Sequence, residues 1–126
     1  MKTITKTMTN GEIYNLAVNL INNFNDNEVY MPAAVAYSIQ KNKTLFTSIA
    51  EEIERSRIAI IQHYSENVEG KGFVVPQDSI ETANAELMDL LAIEQEVKIY
   101  TFEVEKIEDI KFTSLQMQAI MFMIED

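Results

Sequence analysis

The sequence predicts an α+β fold that is mostly α: a long antiparallel helical hairpin, a short two- or three-stranded sheet and an apolar C-terminal helix. Three observations lead to this class. An apolar stripe at helical spacing runs through residues 33–64, two capping boxes precede shorter helical segments, and two segments are rich in β-branched residues. The 126 residues suffice for a single domain, 1–126, and no linker divides them.

The N-terminal segment predicts a strand followed by a helix. Residues 2–8, KTITKTM, alternate and are rich in threonine, which is typical of a short strand. Thr9 and Glu12 have the spacing of a capping box, so a helix is expected over roughly 10–25. Its apolar positions recur at helical spacing: Ile13, Leu16, Ala17, Leu20, Ile21 and Phe24.

The longest predicted element is a helix from Ala33 to Tyr64. Pro32 suits its first turn, and Gly70 and Gly72 are expected to close the segment. The helix would be about 48 Å long, whereas a compact domain of this size is about 36 Å across. It therefore kinks, or the molecule is elongated, or another chain covers the excess. The stripe positions are Val35, Ile39, Asn42, Phe46, Ile49, Ile53, Arg57, Ile60 and Tyr64.

Two polar residues, Asn42 and Arg57, interrupt this apolar stripe and are taken as structural polar positions. The stripe resumes in phase after Asn42, so a break there is not expected. A buried asparagine fixes register or association state, and it must then find hydrogen-bond partners. The alternatives are an exposed position near an overhanging end of the helix and a direct role in partner recognition.

The C-terminal half predicts a helix, a strand and a last helix. Asp78 or Ser79 caps a helix over roughly 79–95, and KGFVVP before it is a loop or a short edge strand. The segment 97–105 is predicted to be a strand that could pair with the N-terminal one. Because both of its faces carry apolar residues, this strand is expected to be covered on both faces or bulged.

The final segment, LQMQAIMFMI, follows a capping box formed by Thr113 and Gln116. A helix with almost no polar face is buried on most sides, either by the rest of the fold or by a second subunit or partner. Its methionines suit an adaptable contact surface and suit a core equally well. Met117, Met121 and Phe122 are therefore candidate partner-binding residues.

The charge of the chain lies mostly in its C-terminal half. The net charge is −10; residues 1–75 carry 7 basic and 8 acidic side chains, and residues 76–126 carry 3 basic and 12 acidic ones. Direct nucleic-acid binding, which needs clustered lysine and arginine, is not expected. The acidic half is either a solvated surface or a face that engages a basic site on a partner. If the acidic half is such a binding face, the candidate partner-binding residues are Glu103, Glu105, Glu108 and Asp109.

The sequence carries no signature of catalysis. There is no cysteine, and His63 is the only histidine, so neither thiol chemistry nor a zinc site is expected. Three glycines do not build a phosphate-binding or dinucleotide-binding loop. We expect no enzyme, no cofactor and no metal. No apolar run is long enough for a membrane span or a signal-peptide core, which favours the cytoplasm.

Four successive segments carry a resemblance: NGEIYNL, MPAAVAYSIQKN, IERSRIAIIQHY and ELMDLLAIEQEVKIY. In this layout, and in the pair Lys41 and Asn42, the chain resembles small uncharacterised phage and prophage proteins of low-GC Gram-positive bacteria. The resemblance covers most of the chain. It implies a phage accessory protein that acts in the host cytoplasm or in the virion, and it transfers no functional residue.

Two functions follow as expectations. The first is an interaction protein that binds a host protein, for example an anti-defence inhibitor of the anti-CRISPR type that uses an acidic binding face. The second is a structural or assembly protein of the virion that self-associates as a homo-oligomer. The first rests on the acidic half and the absent catalytic signature, and the second on the long helix and the apolar C-terminal helix.

Overall fold

The computed structural model describes residues 2–25 and 30–125, and it confirms a mostly α-helical α+β fold. Four helices are present in the described residues: α1 (Asn10–Asn23), α2 (Ala33–Tyr64), α3 (Ile80–Ala92) and α4 (Ser114–Ile120). Five strands accompany them: β1 (Lys2–Thr9), β2 (Glu66–Val68), β3 (Gly72–Val74), β4 (Glu94–Glu103) and β5 (Ile124–Glu125).

The main sheet has the order β1-β4-β5. β1 and β4 are antiparallel, with Thr3 opposite Tyr100 and Thr9 opposite Glu94, which confirms the predicted pairing of the two strands. β5 is parallel to β4 and pairs with its last two residues. β4 buries Val97, Ile99 and Thr101 on one face and Phe102 on the other, so it is covered on both faces only at its C-terminal end.

α2 is an unbroken helix of 32 residues, with the bounds that the sequence predicts. Its buried residues run from Val35 to Ile53, and none of its residues after Ile53 is buried. The remaining three turns project beyond the core, where α3 packs against them. The excess length therefore lies outside the core, and the helix is continuous to its end.

The core lies between α1, the first half of α2, α4 and the inner face of β4. Both predicted capping boxes are present, at Thr9 with Glu12 and at Thr113 with Gln116, and they fix where α1 and α4 begin. The fully buried large side chains are mostly apolar: Ile13, Leu20, Val35, Phe46, Ile99, Ile120 and Met123.

Asn42 is fully buried and joins α2 to the sheet. Its side-chain Nδ2 donates to the Tyr100 carbonyl at 2.8 Å, and its Oδ1 accepts from the Tyr100 N–H at 2.8 Å. One amide thus satisfies both backbone groups of a strand residue. Tyr100 lies two residues before Phe102, which pairs with β5. Alternate residues of a strand direct their backbone groups to the same edge, so Asn42 continues the ladder that the two-residue β5 begins.

The third helix ends at Ala92 and not near residue 95, Ser79 makes no capping hydrogen bond, and β4 begins at Glu94 and not at residue 97.

Two further expectations about the chain differ from the structure. The first concerns Gly70 and Gly72: the helix ends at Tyr64, and the glycines instead belong to a hairpin formed by β2 and β3. Both have positive φ, 84° and 74°, a conformation that side chains with a Cβ rarely adopt. The sequence pattern indicated the end of regular helix but did not reveal the hairpin.

The second difference concerns the last helix, which is shorter than LQMQAIMFMI. The α-helix stops at Ile120, a single 3₁₀ turn covers Met121–Met123, and the chain then enters β5. Within the α-helix, Ala119 and Ile120 face the core and Leu115 is exposed; within the 3₁₀ turn, Met123 faces the core and Met121 is exposed. The fold itself buries most of this apolar segment.

Candidate functional site

The four carboxylates predicted to bind a partner lie together on one short segment, residues 103–109, which we call the acidic segment. Glu103 is the last residue of β4, and a 3₁₀ turn over Val104–Ile107 follows at once. Glu105, Glu108 and Asp109 lie on this turn or just after it, and all four carboxylates are exposed. The structure therefore brings the four residues to one end of the sheet.

The acidic segment is anchored by apolar side chains. Ile107 is 3% exposed and belongs to the core, and its carbonyl accepts a hydrogen bond from the N–H of Ile110 at 3.1 Å. Phe112 follows and packs edge-on against Phe24, with ring centroids 6.0 Å apart. Since Ile107 within the segment and Phe112 three residues beyond it pack on the core, the segment presents its carboxylates from an anchored backbone.

The carboxylates of the acidic segment have no cationic partner within the described part of the chain. Across residues 2–25 and 30–125, the ion pairs are Lys2 with Glu125 and Arg57 with Glu54. Glu125 lies beside Glu103, and Lys2 lines the same pocket. Lys106 and Lys111 lie in or next to the segment, so its surroundings are acidic but not uniformly so. Unpaired exposed carboxylates remain available to a cationic partner.

A second group of carboxylates lies on the outer side of α3. At 100° per residue, Glu81, Glu86 and Asp89 fall within an arc of about 140°. Ala83, the buried residue of α3, lies on the other side of the helix. Glu86 is beside Tyr64 of α2, and this carboxylate raises the pKa of the tyrosine. The α3 carboxylates are as exposed as those of the acidic segment and offer a comparison for them.

The apolar candidates of the C-terminal segment divide into one exposed residue and two that the core holds. Met121 is 62% exposed. Phe122 packs on Phe46 with ring centroids 5.3 Å apart, and Met117 also lies partly buried against the core. Met121 is thus the apolar candidate that a partner reaches without a rearrangement of the fold, whereas Met117 and Phe122 contribute to packing.

Arg57 lies on the projecting part of α2 and is exposed rather than buried in the stripe. Its Nε donates to Oε2 of Glu54 at 3.0 Å, and this bond together with the positive charge lowers the pKa of Glu54. The pair forms the rim of an apolar groove of about 240 Å³ between α1, α2 and α3, which Tyr14, Ile53 and Leu87 help to line. The groove is smaller than most small-molecule sites.

The described residues contain no group of three or more histidine, aspartate or glutamate side chains that would hold a metal ion. His63 is exposed on α2, with its ring packed edge-on against Tyr64 at 4.8 Å between centroids. Over the same residues, no helix combines the length and the apolar character that crossing a bilayer requires.

Comparisons with protein-family models, with curated proteins and with solved structures found no match to this chain. Its function is therefore argued from the geometry of its own residues.

Proposed function

We propose that this chain is a non-enzymatic, phage-encoded accessory protein that acts by binding a host protein, and that the acidic segment is its binding face. One observation carries the proposal: four carboxylates lie on an anchored backbone at one end of the sheet, exposed and without a cationic partner among the described residues. Such a face suits a basic site on a partner, where opposite charges steer association and fix orientation.

The phage origin in this proposal rests on the sequence resemblance. An inhibitor of the anti-defence type, such as an anti-CRISPR protein, would place its carboxylates in the nucleic-acid groove of a host nuclease. The target would then be a basic protein of the host cytoplasm, and DNA or RNA would compete with this chain for it.

The test compares two variants that lose the same number of charges. In the first, the acidic segment is neutralised by Glu103→Gln, Glu105→Gln, Glu108→Gln and Asp109→Asn. In the second, the matched control, four carboxylates of α3 and the start of β4 are neutralised by Glu81→Gln, Glu86→Gln, Asp89→Asn and Glu94→Gln. Each protein is immobilised and exposed to extract from a Gram-positive host, and the retained proteins are identified.

We expect the wild-type chain and the control to retain the same basic protein at low salt, and the acidic-segment variant to lose it. Binding should also weaken steeply between 0.1 M and 1 M salt, because the screening length falls from about 10 Å to about 3 Å. Added oligonucleotides should displace the chain. Equal retention by both variants, or retention that salt does not affect, would count against the proposal.

A structural or assembly role in the virion is the second candidate function, and the projecting part of the molecule favours it. Ile58 on α2, Phe73 on β3 and Met88 on α3 are 42%, 76% and 71% exposed. Large apolar side chains that are this exposed are available to bury against a second copy. Light scattering over a range of concentrations tests this role: self-association that Phe73→Ser removes supports it, and a monomer at all concentrations contradicts it.

A further inference from the structure

One edge of the main sheet is open in the described structure. β1 pairs with β4 on one side, and the strand order β1-β4-β5 leaves its other side without a neighbour. Residues 2–7 are all exposed, and Ile4, on the inner face, is 47% exposed. A strand this long with an uncovered edge is a template for another strand, because its backbone groups on that side have no ladder partner.

The hydrogen bonds of Asn42 show which backbone groups face the open edge. Both backbone groups of Tyr100 bond to Asn42, so they point away from β1. Thr3, opposite Tyr100, is therefore in a non-hydrogen-bonded pair. Because the two pair types alternate along an antiparallel ladder, the N–H and C=O groups of Thr3, Thr5 and Thr7 point outward, away from the sheet.

We propose that β1 pairs antiparallel with β1 of a second copy of this chain, so that two three-stranded sheets join into one of six strands. A two-fold axis makes the two contacting strands antiparallel, as an isologous dimer requires. The proposal is independent of the proposed function, since it concerns the backbone edge of β1, whereas the acidic segment follows the end of β4.

The side chains of β1 favour one register for this pairing. With Thr5 opposite Thr5, Thr3 of each copy lies opposite Thr7 of the other, and every outward backbone group of these threonines has a partner. Lys6 then lies opposite Ile4, and Lys2 lies opposite Met8. A shift of the pairing by two residues in one direction places Lys2 of one copy opposite Lys6 of the other. The same shift in the other direction places the two Lys6 residues opposite each other. Like charges directly opposite are destabilising.

The same register suits the two faces of the joined sheet. On the outer face the threonines of both copies form cross-strand pairs, which are favourable in sheets. On the inner face the aliphatic stem of Lys6 covers the exposed Ile4 of the other copy while its ammonium group stays in water. The lysines therefore permit one register and oppose its neighbours.

Light scattering on untagged protein tests the association. We expect the wild-type chain to be a dimer of twice 14.4 kDa at micromolar concentration, and Thr5→Pro to be a monomer. The N–H that proline removes is directed outward and has no hydrogen-bond partner among the described residues, so an edge strand tolerates the change. Thr5→Val, which keeps the N–H, is the matched control and should remain a dimer; circular dichroism confirms that both variants fold.

Disulfide cross-linking tests the register, since the chain has no cysteine of its own. At Thr5 the two Cα atoms would be about 5.5 Å apart, within the range that a disulfide spans. Thr5→Cys should therefore cross-link two copies under mild oxidation, whereas Thr3→Cys should not, because its equivalents lie four residues apart along the paired strands. A wild-type monomer at every concentration, a dimer that survives Thr5→Pro, or equal cross-linking by both cysteine variants would each overturn the proposal.

Discussion

Replacement of Asn42 by leucine tests the joint between α2 and the sheet. Asn42→Leu leaves the N–H and the C=O of Tyr100 without the partners that lie 2.8 Å away in the wild type. Each buried group that loses its partner costs about 1–3 kcal/mol. Tyr100 is half-buried, which favours the lower half of that range. Leucine regains about 1 kcal/mol through apolar burial. With two such groups, the expected net loss is about 1–3 kcal/mol in the free energy of unfolding.

Urea denaturation monitored by circular dichroism measures this loss. With a slope of about 1.5 kcal/mol/M, the midpoint should fall by about 0.7–2 M. Ser38→Ala is the matched control one turn earlier on α2, because Ser38 is also fully buried but its hydroxyl has no hydrogen-bond partner among the described residues. That variant should be as stable as the wild type or slightly more stable. Unchanged midpoints for both variants would refute the reasoning.

Asn42→Asp separates the hydrogen bonds from the shape of the side chain. A carboxyl group at this buried position has a raised pKa, and only its protonated form can donate to the Tyr100 carbonyl. Above the unfolded pKa of about 3.9, the folded state retains a proton that the unfolded state has lost, so stability falls as pH rises. The deficit relative to the wild type should be small below pH 4 and largest near neutrality. A deficit that does not change with pH would contradict the bonding scheme.

Three further predictions concern the elements around the core. Thr113→Ala removes the side-chain cap of α4 and should lower the free energy of unfolding, measured with urea, by about 1 kcal/mol. An unchanged free energy would contradict a stabilising role of the cap. Gly72→Ala meets no atom within 4 Å but must hold a φ of 74°, so it should cost about 1 kcal/mol and accelerate amide exchange in the hairpin alone. Phe122→Ala should lose about 2–3 kcal/mol through its contact with Phe46, whereas Met121→Ala should stay within about 0.5 kcal/mol; equal effects would contradict this division.

The sequence predicted those elements whose signals are local. Pro32 and the apolar stripe define α2 to the residue, and each capping box marks a helix start because its two bonds lie within four residues. β5 could not be predicted in this way. Its two residues form a strand only because the edge of β4 at Phe102 is free to pair with them, and that edge is brought near by the tertiary fold.

The candidate surfaces show the same limit. The charge count indicated the acidic half of the chain, because a count of charged residues requires no knowledge of tertiary contacts. The apolar pattern of the last segment did not distinguish Met121 from Phe122, because Phe122 is held by its contact with Phe46, which lies far away along the chain. The polar position of Asn42 in the stripe was visible, but its partner lies 58 residues away along the chain.

Asn42 also links the stability of the fold to the backbone groups of β1 that face the open edge. By holding both backbone groups of Tyr100, it fixes which residues of β4 bond toward β1 and which bond toward β5. A shift of one residue would reverse this alternation, turn Val97 and Ile99 out of the core and direct the backbone groups of Thr3, Thr5 and Thr7 elsewhere. It would also displace the acidic segment, which continues directly from β4. One buried amide thus specifies the register on which both proposed surfaces depend.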